Sequence, residues 1–299
     1  MRPRKTRGGG FSFFLVTLAV LAFALVYVFA GDAIFARRGA GMIFPAEGEI
    51  IVTFLDVGQG SGVVIRAAGH TVLIDGGEFR ARSVVLDYLS AAGVTRLCYV
   101  IATHPHSDHI GALPAVLRDF EIGRLLMPDI RNDTEIFLNF LEAIENNYVE
   151  VHFPETGENF RAGIICLTVI SHPPGPATRI NDASVVLRME HGDTSFLFTG
   201  DAEAAAERAM LSGDLPLNAN VLLVGHHGSR TSTTEAFISA VAPAAAVIQS
   251  AADNRHGHPH PDVIDRLHAH GVTIFRTDEL GTIRKITNGQ TILLCEKTN

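Results

Sequence analysis

Nine consecutive residues, Thr103-His104-Pro105-His106-Ser107-Asp108-His109-Ile110-Gly111, place three imidazoles and one carboxylate within six positions. They follow an apolar run, Leu97 to Ala102, with the character of a buried strand, and they precede a helix-like segment, Ile110 to Leu117. A strand ending in a turn points alternate side chains, His104 and His106, the same way. Asp108 and His109, opening the next helix, then face a second point close by. Neutral imidazoles and carboxylates at this spacing suit borderline cations such as Zn²⁺, and also Mn²⁺ or Fe²⁺. Histidines scattered over a surface by chance rarely give His-x-His-x-Asp-His at a strand end, so the segment reads as a ligand set for metal.

Four further strand ends carry polar groups. Asp75-Gly76-Gly77 offers a carboxylate that either orients a ligand imidazole from behind or simply makes a turn. Phe198-Thr199-Gly200-Asp201 ends in an acid able to bridge two cations ~3.5–4 Å apart. The same Asp201 could serve as N-cap of an Ala-rich helix, Ala202 to Leu211. Val224-Gly225-His226-His227-Gly228-Ser229 supplies two imidazoles; His226 is expected as the ligand and His227 as a neighbour of substrate. In the loop Asn254-Arg255-His256-Gly257-His258-Pro259-His260, His258 is the first candidate to face substrate, with Arg255 beside it.

The elements that must position these groups are short and alternate. Ile50 to Val57 is β-branched and apolar, and Gly58-Gln59-Gly60-Ser61-Gly62 is a glycine-rich turn. Gly62–Ala67 and His70–Asp75 pair as a hairpin, and Arg82–Ala92 has helical spacing ending at Gly93. Strands are expected at 96–103, 122–127, 149–153, 164–170, 183–190, 194–199, 220–225, 244–249 and 272–276, with two more hinged at Asn288-Gly289. Helices are expected at 134–146, 202–211, 234–241 and 261–270. Strands first, then strands and helices in alternation, imply layered sheets with helices outside.

Bulk composition narrows the partners. With 299 residues and 47% hydrophobic content the chain can build a large core, and its net charge of −8 argues against bulk electrostatic capture of nucleic acid. Any polyanion must be held locally, by metal or by a few basic side chains. Cys98, Cys166 and Cys295 lie far apart in apolar runs, with no disulfide framework legible.

The N-terminus is a separate unit. Residues 1–10 form a basic tail, and Phe11 to Ala30 are twenty nearly unbroken apolar residues, enough to cross a ~30 Å bilayer core. Arg2, Arg4, Lys5 and Arg7 outweigh the flank after the span, so the tail is expected inside and the rest outside the cytoplasm. The alternative is secretion after cleavage near Ala30, although the apolar run is longer than a usual signal core. Residues 31–48 read as a linker and residues 49–299 as the catalytic domain.

In this order the motifs resemble the metallo-β-lactamase superfamily of metal-dependent hydrolases. More narrowly, Phe54 to Gly60, Asp75 to Gly77, Thr103 to Gly111, Asn181-Asp182-x-Ser184, Thr199 to Glu203 and Gly225 to Ser229 are similar to the hydrolase domain of ComEC-type competence proteins. The resemblance runs from about Ile50 to Ile286. It implies an α/β fold of αββα sandwich type and two divalent metal ions, Zn or Mn. His104 and His106 would hold one, and Asp108, His109 and His226 the other, with Asp201 between them. The implied reaction is hydrolysis of a phosphodiester, DNA among the candidates. Asp108, His227 and His258 would serve the chemistry, and Asn181, Ser229, Arg255 and His258 would meet substrate. Another ester, such as a choline-phosphate ester or a lactone, would use the same ligands, and a non-catalytic binding module could keep the fold. Two departures stand out. Ser61 stands where the subfamily usually has an acid, and where many superfamily members carry a His between the first cluster and the bridging Asp this chain offers Asn181-Asp182, with His172 upstream.

Overall fold

Every side chain of Ile50-Ile51-Val52-Thr53-Phe54 is buried, which a strand achieves only when both its faces are covered. The computed structural model, which describes residues 42–171 and 179–295, shows what covers this strand, β1. Ile50, Val52 and Phe54 enter the apolar layer between two sheets. On the opposite face Thr53 shares a 2.7 Å hydrogen bond with Tyr88 of helix α1 (Arg82–Ala91). The residues of the expected membrane span, the basic tail and His172 lie outside the described residues. Among the described residues no helix is long and apolar enough to cross a membrane.

The first sheet continues through β2 (Val63–Ala67), β3 (His70–Ile74), β4 (Arg96–Ile101), β5 (Glu121–Leu126) and β6 (Val151–His152). The second holds β7 (Asn159–Ala162), β8 (Ile165–Ser171), β9 (Val186–His191), β10 (Thr194–Phe198), β11 (Val221–Leu223), β12 (Ala245–Ile248) and β13 (Thr273–Arg276). The chain then returns to the first sheet as β14 (Ile283–Thr287) and β15 (Ile292–Cys295), where β14 pairs antiparallel with β1. The orders are β15-β14-β1-β2-β3-β4-β5-β6 and β13-β12-β11-β10-β9-β8-β7. Phe54, Ile65, Ile74 and Ile101 of the first sheet face Leu167, Leu187, Phe196 and Phe198 of the second in one apolar layer. At roughly 1.5–3 kcal/mol for each large side chain buried, this layer is the main adhesive between the sheets.

Helices cover the outside. Beyond α1 the first sheet carries α2 (Ser107–Ile110), α3 (Leu113–Asp119) and α4 (Glu135–Asn146). On the second sheet, α5 (Ala204–Leu211) and α6 (Glu235–Val241) put Ala206, Met210, Phe237 and Val241 against Val186, Leu197 and Leu222. Next, α7 (Pro261–Ala269) puts Val263 and Leu267 on Ala246 and Ile248. A one-turn helix, α8 (Thr277–Leu280), follows β13. The expected αββα sandwich is therefore the observed architecture.

Several boundaries differ from expectation. The single helix expected at 110–117 is two, α2 and α3, because Pro114 at the start of α3 fits a first turn and not a helix interior. β7 was not foreseen: an edge strand with Asn159 and Arg161 exposed has too little apolar signal to read. In the first sheet β3 to β6 run parallel, and in the second β10 to β13 do. Parallel strands end at a common edge, so the loops after β3, β4, β10, β11 and β12 converge there.

Candidate metal centre

Asp75 follows β3 in a left-handed conformation, φ 56°. Its carboxylate accepts from Thr103 N at 2.8 Å and from Thr103 Oγ1, and takes His109 Nδ1–H at 2.7 Å. Residue 103 leaves β4, so this one acid ties the ends of two parallel strands together and orients an imidazole. That resolves the open reading of Asp75 toward support of a ligand-type histidine.

Asp201 follows β10 and is almost fully buried at 2% exposed. Around it stand His109 Nε2 at 3.1 Å and His227 Nε2 at 3.5 Å from Oδ1, with His104 Nε2 at 3.6 Å and His226 Nε2 at 3.7 Å from Oδ2. Asp201 N is held by Ser184 Oγ at 3.0 Å. Asp201 does not cap α5. Asp182 does, accepting from Glu203 N and Ala206 N, which leaves both Asp201 oxygens free for the centre.

Two sets of donor atoms have the spacing of metal ligands, each set within 4.8 Å: Asp108, His109, Asp201 and His227, and His104, His106 and Asp201. His227 Nε2 lies 3.2 Å from Asp108 Oδ2, and His104 Nε2 lies 3.0 Å from His106 Nδ1. His109 Nε2, Asp201 Oδ1 and His227 Nε2 are buried without a hydrogen-bond partner. Orphaned buried polar atoms are costly, about 1–3 kcal/mol each, unless something else meets them. Three that converge on one point, all good donors to a divalent cation, fit a metal.

The charges sort the imidazoles. Burial pushes the His104 pKa well down, helped by the neighbouring His109, and burial also lowers His106. Burial works against charge on His109 too, but Asp201 and Asp75 overcome it and raise its pKa well above the ordinary value. His227 is raised in the same way by Asp201 and Asp108. Burial would raise the two acids, yet the surrounding imidazoles hold Asp201 and Asp108 below the usual carboxylate range. Asp201 and Asp108 are thus anionic, the form a cation requires.

The positions of the remaining residues revise the expectations. His226 and His227 are both left-handed, φ 49° and 55°, a conformation costing roughly 1–2 kcal/mol per residue and concentrated at functional sites. The turn sends His227 inward to the Asp108 set, where His226 was expected. His226 instead sets Nδ1 3.1 Å from Glu203 Oε1 and turns Nε2 to the Asp201 oxygen that His104 also approaches. Asn181 donates to Glu203 and touches His226 Nδ1 at 3.4 Å, so it reaches the centre's edge through them. Ser229 does not open toward a substrate: it is buried and pairs with Thr231 Oγ1 at 2.9 Å. His258 meets the His226 ring edge-to-face at 5.4 Å, with Nδ1 buried and unpartnered, and burial lowers its pKa to about 4. Arg255 is exposed on the neighbouring loop, and Arg230 is engaged with His260.

Residues 55–251 match the model of the metallo-beta-lactamase superfamily, and the chain belongs to that superfamily. It carries that superfamily's fold and two candidate metal-ligand sets. ComE operon protein 3 of Bacillus subtilis (strain 168) is 32% identical over 258 residues, covering 80% of this chain and 33% of the relative. Competence protein ComA of Neisseria gonorrhoeae is 32% identical over 244 residues, covering 80% and 32%. These matches bear out the ComEC-type resemblance, and the chain spans about a third of the length of the curated relatives it matches. Among solved structures, the metallo-beta-lactamase fold protein YhfI from Bacillus subtilis aligns with a TM-score of 0.52 at 11% identity. It covers 82% of this chain and 100% of its own, and shows the fold alone.

Proposed function

We propose that the chain is a phosphodiesterase acting on nucleic acid, anchored in the cell membrane by residues 11–30 with its hydrolase domain outside the cytoplasm. The observation that carries the hydrolytic reading is the pair of donor sets sharing Asp201, with three buried donor atoms left unmet by the protein. Asp108, His109, His227 and Asp201 would hold one divalent ion; His104, His106 and Asp201 the other, with His226 Nε2 the nearest further donor. Two such ions, Zn or Mn, supply Lewis-acid polarisation of a phosphoryl oxygen and lower the pKa of water toward ~7.

The chain's own residues supply orientation and proton handling. Asp75 fixes His109, and Glu203 fixes His226. His258, kept neutral by burial, has a free Nδ1 beside the centre and is positioned to donate to or accept from a leaving oxygen. Arg255, exposed on the neighbouring loop, is a basic group able to meet a phosphate at the rim, which fits a substrate held locally by a chain of net charge −8. The names of the competence relatives favour nucleic acid over other esters. The apolar run and its basic flank support the anchor.

The test is hydrolysis of bis-p-nitrophenyl phosphate and of single-stranded DNA, each with and without added Mn²⁺ or Zn²⁺. Turnover of both, dependent on metal, is expected, and Arg255→Ala should raise KM for DNA more than for the small diester. Turnover of a lactone or a choline ester with no DNA cleavage would assign the site to other ester chemistry. No turnover of any ester by metal-loaded protein would leave a binding module.

A further inference from the structure

Gln249 lies at the end of β12 in the second sheet, 1% exposed, and its side chain crosses to the glycine-rich turn of the first sheet. Its Nε2 donates to Leu55 O at 2.8 Å and Gly62 O at 2.9 Å. Its Oε1 accepts from Ser61 Oγ at 3.2 Å and Gly62 N at 3.3 Å. Both amide protons and both carbonyl lone pairs are used, so the amide has one orientation and no freedom to rotate. The backbone oxygen of the same residue takes the proton of His227 Nδ1 at 3.0 Å. A histidine that donates from Nδ1 presents its Nε2 lone pair, and here Nε2 points at Asp108 and Asp201.

The turn that Gln249 grips also holds the other side of the centre. Ser61 N donates to Asp108 O at 3.0 Å, and a Cβ at Gly60 would overlap that same oxygen. Asp108 therefore rests on residues 60–61 of the first sheet, while His227 hangs from residue 249 of the second. Gln249 is the hydrogen-bonded link between these supports.

We propose that Gln249, locked by Ser61 and Gly62, is a positioning residue: it sets the tautomer of His227 and its approach to Asp108 across the gap between the sheets. This rests on the two-ion reading above and deepens it, because the four-residue set draws its members from both sheets while His104 and His106 come from one loop. Loosening Gln249 should affect one set and spare the other. A residue that merely fills space between the sheets would lower stability and leave both sets alike.

The test compares full-length wild type, Gln249→Met and Ser61→Ala by Zn²⁺ titration against a competing chelator, with thermal unfolding alongside. Gln249→Met should weaken one of two binding steps by about 10–100-fold, the usual cost of losing an outer-shell partner, and leave the other unchanged. Ser61→Ala removes one of the four amide bonds without opening the core and should shift the same step, by less; it decides the matter if Gln249→Met does not fold. Equal weakening of both steps, or none, would overturn the proposal. The ¹⁵N shifts of the His227 ring in metal-free protein separate this outcome from failure of the two-ion reading. At a pH high enough to leave the ring neutral, wild type should show the Nδ1–H tautomer and Ser61→Ala a mixture, whether or not metal binds; identical spectra there would contradict the role of Gln249.

Discussion

The two donor sets share Asp201 and differ in almost everything else. His104 and His106 stand two residues apart after one strand, and the neighbours of His104 Nδ1 are the hydroxyls of Thr103 at 3.2 Å and Ser184 at 3.4 Å. His109 and His227 come from different sheets, and each ring has a dedicated acceptor behind it, Asp75 or the Gln249 carbonyl. One set is neutral imidazole around one shared acid. The other gathers Asp108 and Asp201 directly, with Asp75 behind. Charge count and rigidity tune cation affinity, so the set containing Asp108 should hold its ion more tightly. The asymmetry teaches where this fold spends its order: the tight set takes its imidazoles from both sheets, and the looser one takes both of its imidazoles from a single loop.

Removing the shared residue breaks both halves at once. Asp201→Ala should lose both ions and reduce hydrolysis of bis-p-nitrophenyl phosphate to the level of the metal-free protein, with the apolar layer between the sheets intact. Retention of one ion at wild-type affinity would mean that Asp201 belongs to one set only.

A finer cut separates the adjacent histidines. His227→Ala should weaken the tighter binding step at least about tenfold, and His226→Ala should leave that step unchanged while weakening the other. Chelator competition reads both, and the reverse pattern would restore His226 to the Asp108 set.

The smallest change targets the acid behind the ring. Asp75→Asn keeps a hydrogen bond to Thr103 but gives up the charge facing His109, and should weaken the tighter step by about tenfold while sparing the looser. Equal loss from both steps would make Asp75 a strand clamp alone.

The sequence made the strand-end residues legible because an apolar run ending in His or Asp is a one-dimensional pattern. Asp108, His109 and Asp201 needed nothing more. The choice between His226 and His227 was not readable, since it depends on two successive left-handed residues that reverse which ring faces inward. Asp201 read as a cap of α5 because it stands just before that helix; Asp182, some twenty positions earlier, takes the role only once residues 181–183 pack beside α5. Gln249 left no signal, because a glutamine ending a buried strand looks like any polar strand end until its partners, some 190 positions earlier, are placed against it. Ser229, expected to meet substrate, is folded by the same turn against Thr231, a contact that the spacing of the motif does not encode.

The most direct measurement is metal content of purified wild type and Asp108→Ala, with diester turnover recorded on the same samples. Asp108 belongs to one set and is not among the side chains of the apolar layer, so its loss should empty that set alone. Two ions per wild-type chain, roughly one per variant chain, and abolished hydrolysis are expected, as a dinuclear centre requires. Unchanged metal content with unchanged turnover would contradict the assignment of Asp108 and, with it, the paired centre.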